Sequence, residues 1–144
     1  MPRMDEKPTR DAFAHHLSIP TLWADNDVYG HVNNTVYYRW FDTVVNTWLM
    51  NEGGLEPMAS DVIGLVVESG CRYFVPCSFP ETVTAALRVT KIGTSSVRYE
   101  IGIFRGDEAI ALGHFVHVFV DRAGRRPTPH PPKIRAALEK LLPA

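Results

Sequence analysis

Cysteine is nearly absent from this chain of 144 residues, which has only Cys71 and Cys77. The two lie close together in an apolar stretch, with no second Cys/His pair nearby to complete a zinc site. Free, buried thiols in a reducing compartment are therefore expected, and not a disulfide scaffold. An excess of charge of one sign is also lacking. Lys+Arg number 15 and Asp+Glu 16, a formal net charge of -1, so no basic surplus is available to neutralise a run of nucleic-acid phosphates. No apolar run approaches the roughly 20 residues that span a bilayer. The amino terminus, MPRMDEKPTRDAF, carries charges where a signal peptide needs an apolar core. A cytoplasmic protein without membrane or nucleic-acid partners is the expectation. Three chemical signatures are missing as well: the G-x-S-x-G nucleophile elbow, the G-x-x-x-x-G-K-[ST] phosphate loop and the H-E-x-x-H zinc helix. His114 and His117 do not make a metal pair, because residues three apart on a strand point to opposite faces.

What is present fits one ordinary domain. Hydrophobic residues make up 45% and charged residues 22%, a globular mix in a chain long enough for one core and too short for two. Residues 1–12 are polar, contain two prolines and show no periodicity, which predicts a flexible arm ahead of a single domain over 13–144. His15 to Trp23 reads as a strand that Pro20 confines to an edge or a bulge. Residues 24–34, ADNDVYGHVNN, have the Asp, Asn and Gly content of a structured loop.

Tyr37, Phe41, Val44, Val45 and Trp48 recur at helical spacing from Thr35 to Glu52, with Asn33 or Asn34 as cap and Gly53-Gly54 as stop. Val36, Tyr38, Trp40 and Leu49 fall off that stripe, which predicts a central helix enclosed by other elements. Ile63 to Val75 reads as a strand and residues 76–80 as a turn. Thr82 to Lys91 alternates, with Val83, Ala85, Leu87 and Val89 on one face. Gly93-Thr94 leads into a strand from Val97 to Phe104, and residues 105–107 turn the chain into Ala109 to Val120. After four prolines between 127 and 132 comes a short amphipathic helix, Ile134 to Leu142. Strands in succession through tight turns imply an antiparallel sheet, and one long apolar helix is its natural filler. The predicted class is α+β, a five-stranded antiparallel sheet wrapped around one buried helix.

The loop before the helix concentrates two carboxylates, an imidazole and two amides. A helix start presents unpaired backbone N–H groups and a partial positive charge, a ready stabiliser of a developing oxyanion. A carboxylate beside such donors suits acyl transfer, but capping and turn shaping account for the same composition. The residue types alone do not choose between them.

Taken as a whole, WADNDVYGHVNNTVY from Trp23 to Tyr37 closely resembles W-x-D-x-D-x-x-G-H-V-N-N-x-x-Y, the signature of hotdog-fold thioesterases of the 4-hydroxybenzoyl-CoA thioesterase type. The R-Y-F-V-P segment at Arg72 to Pro76 and the K-I-G-T-S-S-V hairpin at Lys91 to Val97 are similar to the family's progression, and the likeness covers about Leu17 to Pro132. It implies hydrolysis of an acyl-CoA, or of an acyl-carrier-protein thioester, with no metal or organic cofactor, coenzyme A being part of the substrate. It implies that Asp27, the second acid of D-x-D, attacks the carbonyl or activates water, while N–H groups near Asn33 and Asn34 polarise the carbonyl oxygen. Asp25 would then shape the turn. His31 would orient Asp27 or contact the thioester, unless it is a loop histidine satisfied by backbone.

The same resemblance implies a homodimer, or a tetramer built from it, with sheets joined edge to edge through the Ile63 to Phe74 strand and active sites shared between subunits. Glu68, Ser69 and Arg72 would then face the partner's site. The substrate would lie against Tyr29, Gly30 and Val32 of the loop and Tyr37 of the helix, with the acyl chain on Tyr38, Phe41 and Val66. The CoA phosphates would meet Lys91, Ser96 and Arg98, with Arg88 nearby. Two departures stand out: some relatives carry Asn at the place of Tyr29, and some carry adjacent arginines where this chain has Gly93-Thr94-Ser95. The competing reading is a hotdog module that binds acyl-CoA without cleaving it. A hotdog dehydratase or hydratase would need an acid–base pair on the central helix, where Asp42 is the only acid before Glu52.

Overall fold

Loop length decides which strands can be neighbours, and it separates this topology from the simplest reading of the sequence. The computed structural model describes residues 6–143, so residues 1–5 of the expected arm lie outside the described residues. Five strands, β1 (His15–Pro20), β2 (Val62–Tyr73), β3 (Thr82–Ile92), β4 (Ser96–Arg105) and β5 (Glu108–Asp121), accompany two helices, α1 (Asn34–Asn51) and α2 (Pro132–Glu139). They form one sheet in the order β1-β3-β4-β5-β2, antiparallel throughout. The β3–β4 and β4–β5 connections are tight hairpins, as predicted, and Gly106 supplies the positive φ of 60° at the second. The step from β2 to β3 is not a hairpin. Residues 74–81 are too many for a tight turn, and β2 crosses the sheet to pair with β5. β1, with Pro20 at its end, is an edge strand.

Helix α1 lies on one face of the sheet and buries Tyr37, Trp40, Phe41, Val44, Val45 and Leu49. Trp40 and Leu49 therefore belong to the buried stripe, which is broader than the heptad-like spacing suggested. Arg39, Asp42 and Thr43 are exposed, so the helix has one open side and is not enclosed all round. Beneath it, Val83, Ala85, Leu87 and Val89 of β3 and Val97, Tyr99, Ile101 and Ile103 of β4 complete the core. Phe41 is fully buried and stands directly over Gly113, where any Cβ would overlap its ring. On the other face of the sheet, Phe13, Phe104, Ala86 and Ala109 form a small second cluster. The segment ahead of β1 is tied to that face, with the Arg88 guanidinium 4.3 Å from the Phe13 ring centre and Arg10 Nη1 donating to the Gly106 carbonyl at 2.8 Å.

Both cysteines are free, Cys77 buried and Cys71 half-buried. Burial pushes the Cys71 thiol up to about 11, and Cys77 Sγ lies 3.4 Å from the Tyr37 hydroxyl. The two histidines of β5 do point to opposite faces. His114 turns outward, its Nε2 3.0 Å from Glu68, while His117 is 3% exposed and its Nδ1 meets the Tyr99 hydroxyl at 3.2 Å. Desolvation lowers His117 to about 4, so the fold holds it neutral while the unfolded chain protonates it below about 6.5. Its contribution is complete above pH 6.5 and is lost as pH falls toward 4, by up to about 3 kcal/mol. Denaturant unfolding from pH 7 to pH 4 should show this decline, with a shallower slope in a His117→Gln variant. An equal slope in both counts against the assignment.

Candidate active site

Short-range hydrogen bonding shapes the loop ahead of α1. The Leu22 N–H donates to Asp25 Oδ2 at 2.8 Å, closing a single 3-10 turn over Trp23–Asp25. Asp27 then opens a turn in which its carbonyl accepts from the Gly30 N–H at 3.1 Å and its N–H donates to the His31 carbonyl at 2.9 Å. Gly30 adopts φ 81°, the left-handed conformation that a side chain resists. The loop is stitched to the entry of β3: the Val32 N–H donates to the Cys77 carbonyl at 2.8 Å, Ser78 Oγ to the Gly30 carbonyl at 2.8 Å, and the Phe79 N–H to Asn26 Oδ1 at 3.0 Å.

Asn33 is the cap of α1. Its Oδ1 accepts from the Thr35 N–H at 2.9 Å and from the Thr35 hydroxyl at 2.6 Å. Its Nδ2 donates to Asp27 Oδ2 at 3.2 Å, while the Tyr29 N–H donates to Asp27 Oδ1 at 2.9 Å. One amide thus fixes the helix start and holds the Asp27 carboxylate beside it. Among the described residues no acceptor is found for the Asn34 N–H, which leaves it available at the positive end of the helix.

Asp25 does something different. It is 2% exposed and accepts both Nη atoms of Arg39, at 2.9 and 3.0 Å. Burial alone would raise its pKa, but Arg39 and the Leu22 N–H more than offset that and hold the carboxyl below its usual value. Arg39 drew no attention in the sequence, because a charged residue on a helix reads as a solvated face.

The remaining site residues divide into groups. Val32, Asn34 and Tyr37 line a cleft of about 240 Å³ at the start of α1, together with Tyr73, Phe74, Val75 and Pro76. The Tyr73 hydroxyl donates to the Asn34 carbonyl at 3.2 Å, and its ring meets that of Tyr37 edge-on at 5.0 Å; Tyr73 is a cleft residue that the sequence reading missed. Burial raises the Tyr37 and Tyr73 phenols well above their usual value, so both are neutral donors. Tyr29 and His31 are exposed at the loop tip. Phe41 sits in the core instead of lining the cleft, Tyr38 is half-buried against it, and Val66 is exposed on β2.

Glu68 and Arg72 do not turn toward Asp27 of their own chain. Glu68 pairs with His114 on the outer face of the sheet, and Arg72 lines an outer cavity of about 950 Å³ with Lys7, Arg88, Arg98, Glu100 and His114. Ser69 is exposed on the β2 edge. Lys91 and Ser96 stand at the far end of β3 from the loop, about 30 Å away at roughly 3.3 Å per residue from Thr82. Nearness to a hairpin gave no information on which end of the sheet that hairpin occupies. Among the described residues no group of three or more His, Cys, Asp or Glu side chains is placed to hold a metal ion, and no helix is long and apolar enough to cross a membrane.

Comparison with known proteins bears on the family and the fold. A family model described as the thioesterase-like superfamily matches residues 21–138. No curated protein sequence matches the chain. Among solved structures, the PA5185 protein of Pseudomonas aeruginosa is 48% identical, with a TM-score of 0.94 over 96% of this chain and 99% of that one. The PA2801 protein of the same organism, whose description proposes a thioesterase, is 32% identical, with a TM-score of 0.82 over 88% of this chain and 98% of that one. A 1,4-dihydroxy-2-naphthoyl-CoA thioesterase from Synechocystis shares the fold at 18% identity, with a TM-score of 0.79 over 88% and 96% of the two chains. The sheet wrapped on one long helix is the hotdog fold, and the chain belongs to the thioesterase-like superfamily.

Proposed function

We propose that this protein is an acyl-CoA thioesterase, hydrolysing an acyl-CoA or an acyl-carrier-protein thioester to free acid and thiol, with Asp27 as the reacting carboxylate. The observation that carries this reading is the Asp27 carboxylate held by the cap residue Asn33 at the start of α1. The thioester carbon is electrophilic, and negative charge gathers on its oxygen as a nucleophile adds. The Asn34 N–H and the positive helix end are the groups that would stabilise such an oxyanion. Asp27 either adds to the carbonyl, giving an anhydride that water opens, or takes the proton of an attacking water. The thiolate leaves as the anhydride forms on the first route and as the water adduct collapses on the second, and is then protonated. Neither route calls for a metal or an organic cofactor.

Thiol release from a panel of acyl-CoAs tests the reading. The panel runs from short to long aliphatic chains and includes benzoyl, phenylacetyl and gentisyl thioesters, since two structural neighbours are described as 1,4-dihydroxy-2-naphthoyl-CoA and gentisyl-coenzyme A thioesterases. Turnover of part of the panel is expected. Tight acyl-CoA binding without turnover would instead favour the binding module.

The working unit is proposed to be a cytoplasmic homodimer, or a tetramer built from it, with sites shared at the subunit boundary. Supporting this are the exposed apolar residues of the β2 edge, Leu65, Val66 and Val67, and of the loop, Trp23, Val28 and Tyr29, the last three more than 80% exposed. Single chains rarely leave such surface uncovered beside an open strand edge. In this arrangement Ser69 of β2 faces the partner, and Arg72 and Arg98 of the outer cavity receive CoA phosphates. Sedimentation equilibrium should return a dimer or larger; a stable 16.2 kDa monomer rules out shared sites.

A further inference from the structure

We infer that Arg39 is the positioning residue of this site: its guanidinium, by gripping the buried Asp25 carboxylate, fixes the loop that holds Asp27 against the start of α1. The inference rests on the thioesterase reading above and adds to it a residue that never touches substrate. Three contacts in series carry it, and a fourth braces the middle of the chain. Arg39 Nη1 and Nη2 donate to the two oxygens of Asp25. The Asp25 side chain also takes the Leu22 N–H, and its carbonyl takes the Asn33 N–H at 2.9 Å. The Asn33 amide then reaches Asp27. Arg39 lies in the second turn of the same helix whose first turn presents the free Asn34 N–H. The carboxylate and the oxyanion donors are therefore referenced to one rigid element.

The chemistry explains why an arginine is needed. A carboxylate 2% exposed stays ionised only if a cation and hydrogen-bond donors replace its water. The planar fork meets both carboxylate oxygens at once and so fixes the orientation as well as the charge. Remove it and Asp25 either protonates or swings toward solvent. In both cases the Leu22–Asn33 loop loses its anchor, two residues from Asp27. The helix cap remains, because Thr35 and Asn33 hold it without Arg39. Misplacement of a reacting group by about 1 Å costs on the order of 10²-fold in rate.

The test compares wild type, Asp27→Asn, Arg39→Met, Arg39→Lys and Phe104→Leu, the last a packing change in the outer-face cluster. Thioester turnover and melting temperature are measured for each. Arg39→Met should lower kcat by about 10- to 100-fold, with KM within about threefold of wild type. Arg39→Lys, which restores a point charge but not the fork, should recover part of kcat. Phe104→Leu should lower melting temperature with kcat unchanged, separating stability from positioning. If Arg39→Met melts lower but turns over like wild type, the loop does not depend on Arg39 and the inference is overturned alone. If wild type cleaves no thioester, the thioesterase reading fails and the inference falls with it; if Asp27→Asn turns over like wild type, the activity stands, Asp27 is not its carboxylate and the inference is overturned.

Discussion

Replacing Asp27 by asparagine should lower thioester turnover by about 10²-fold or more while the fold survives. The substitution is nearly isosteric. An amide oxygen can still accept the Tyr29 N–H, which now donates to Asp27 Oδ1. The Asn33 Nδ2 loses its carboxylate acceptor, a change of about 1 kcal/mol for one partly exposed hydrogen bond. What disappears is the negative charge, and with it any capacity to add to a carbonyl or to accept a proton from water. Loss of a general base removes about 10² to 10⁴ in rate, equivalent to about 3 to 5 kcal/mol of transition-state stabilisation at 1.36 kcal/mol per tenfold. Thiol release at saturating substrate, with a melting curve for the same preparation, separates chemistry from unfolding. Near-normal turnover in a well-folded variant removes Asp27 from the mechanism.

Replacing Phe41 by alanine should destabilise the fold by about 3 to 5 kcal/mol, the usual cost of emptying a phenylalanine site in a packed core. The site is unforgiving because nothing around it is free to move inward. Phe41 has no exposure, its ring meets Phe115 edge-on at 5.8 Å and Tyr38 at 5.4 Å, and its base rests on the bare backbone of Gly113. Alanine at Gly113 alone should also destabilise, by about 1 to 3 kcal/mol, since its methyl would enter the ring. Together the two changes should cost less than their sum, because the new methyl occupies space the ring has left. Urea unfolding of the four species measures the coupling. Strict additivity would mean the ring and the glycine do not share that space.

The density of Asp, Asn and Gly between Trp23 and Asn34 made the loop legible, because those residues hydrogen-bond their own backbone and leave a compositional mark. The same chemistry offered Asn33 or Asn34 as the cap, and Asn33 is the one found there. Alternation in β3 was legible for a similar reason: a core face set against one carrying Thr84 and Arg88 imposes a period of two, although Ala86 on the outer face is buried in the second cluster. Strand order was not. β2 and β5 meet with more than 35 residues between their nearest partners, Tyr73 and Ala111, and apolar residues on both parities of β5 say that it is central without saying who flanks it. The clamp between Arg39 and Asp25 was hidden because a buried carboxylate and the exposed arginine that reaches over it look, in sequence, like two surface charges. Tyr73 was hidden because its importance comes from the crossover, which brings the end of β2 to the start of α1.

That crossover also governs when the protein can become itself during synthesis. Val62 finds its partner only in Asp121, near the end of the chain, and the Gly113 floor beneath Phe41 arrives just as late. A ribosome that has delivered everything through the β4 hairpin has made the long helix and a strand with no neighbour on either side. Such an intermediate exposes both its apolar stripe and an unpaired backbone, the two features that invite aggregation. The fifth strand closes both openings in one event, joining the two halves of the sheet. Pairing over that distance is intrinsically slow, so the interval before β5 emerges is when this chain is most open to aggregation.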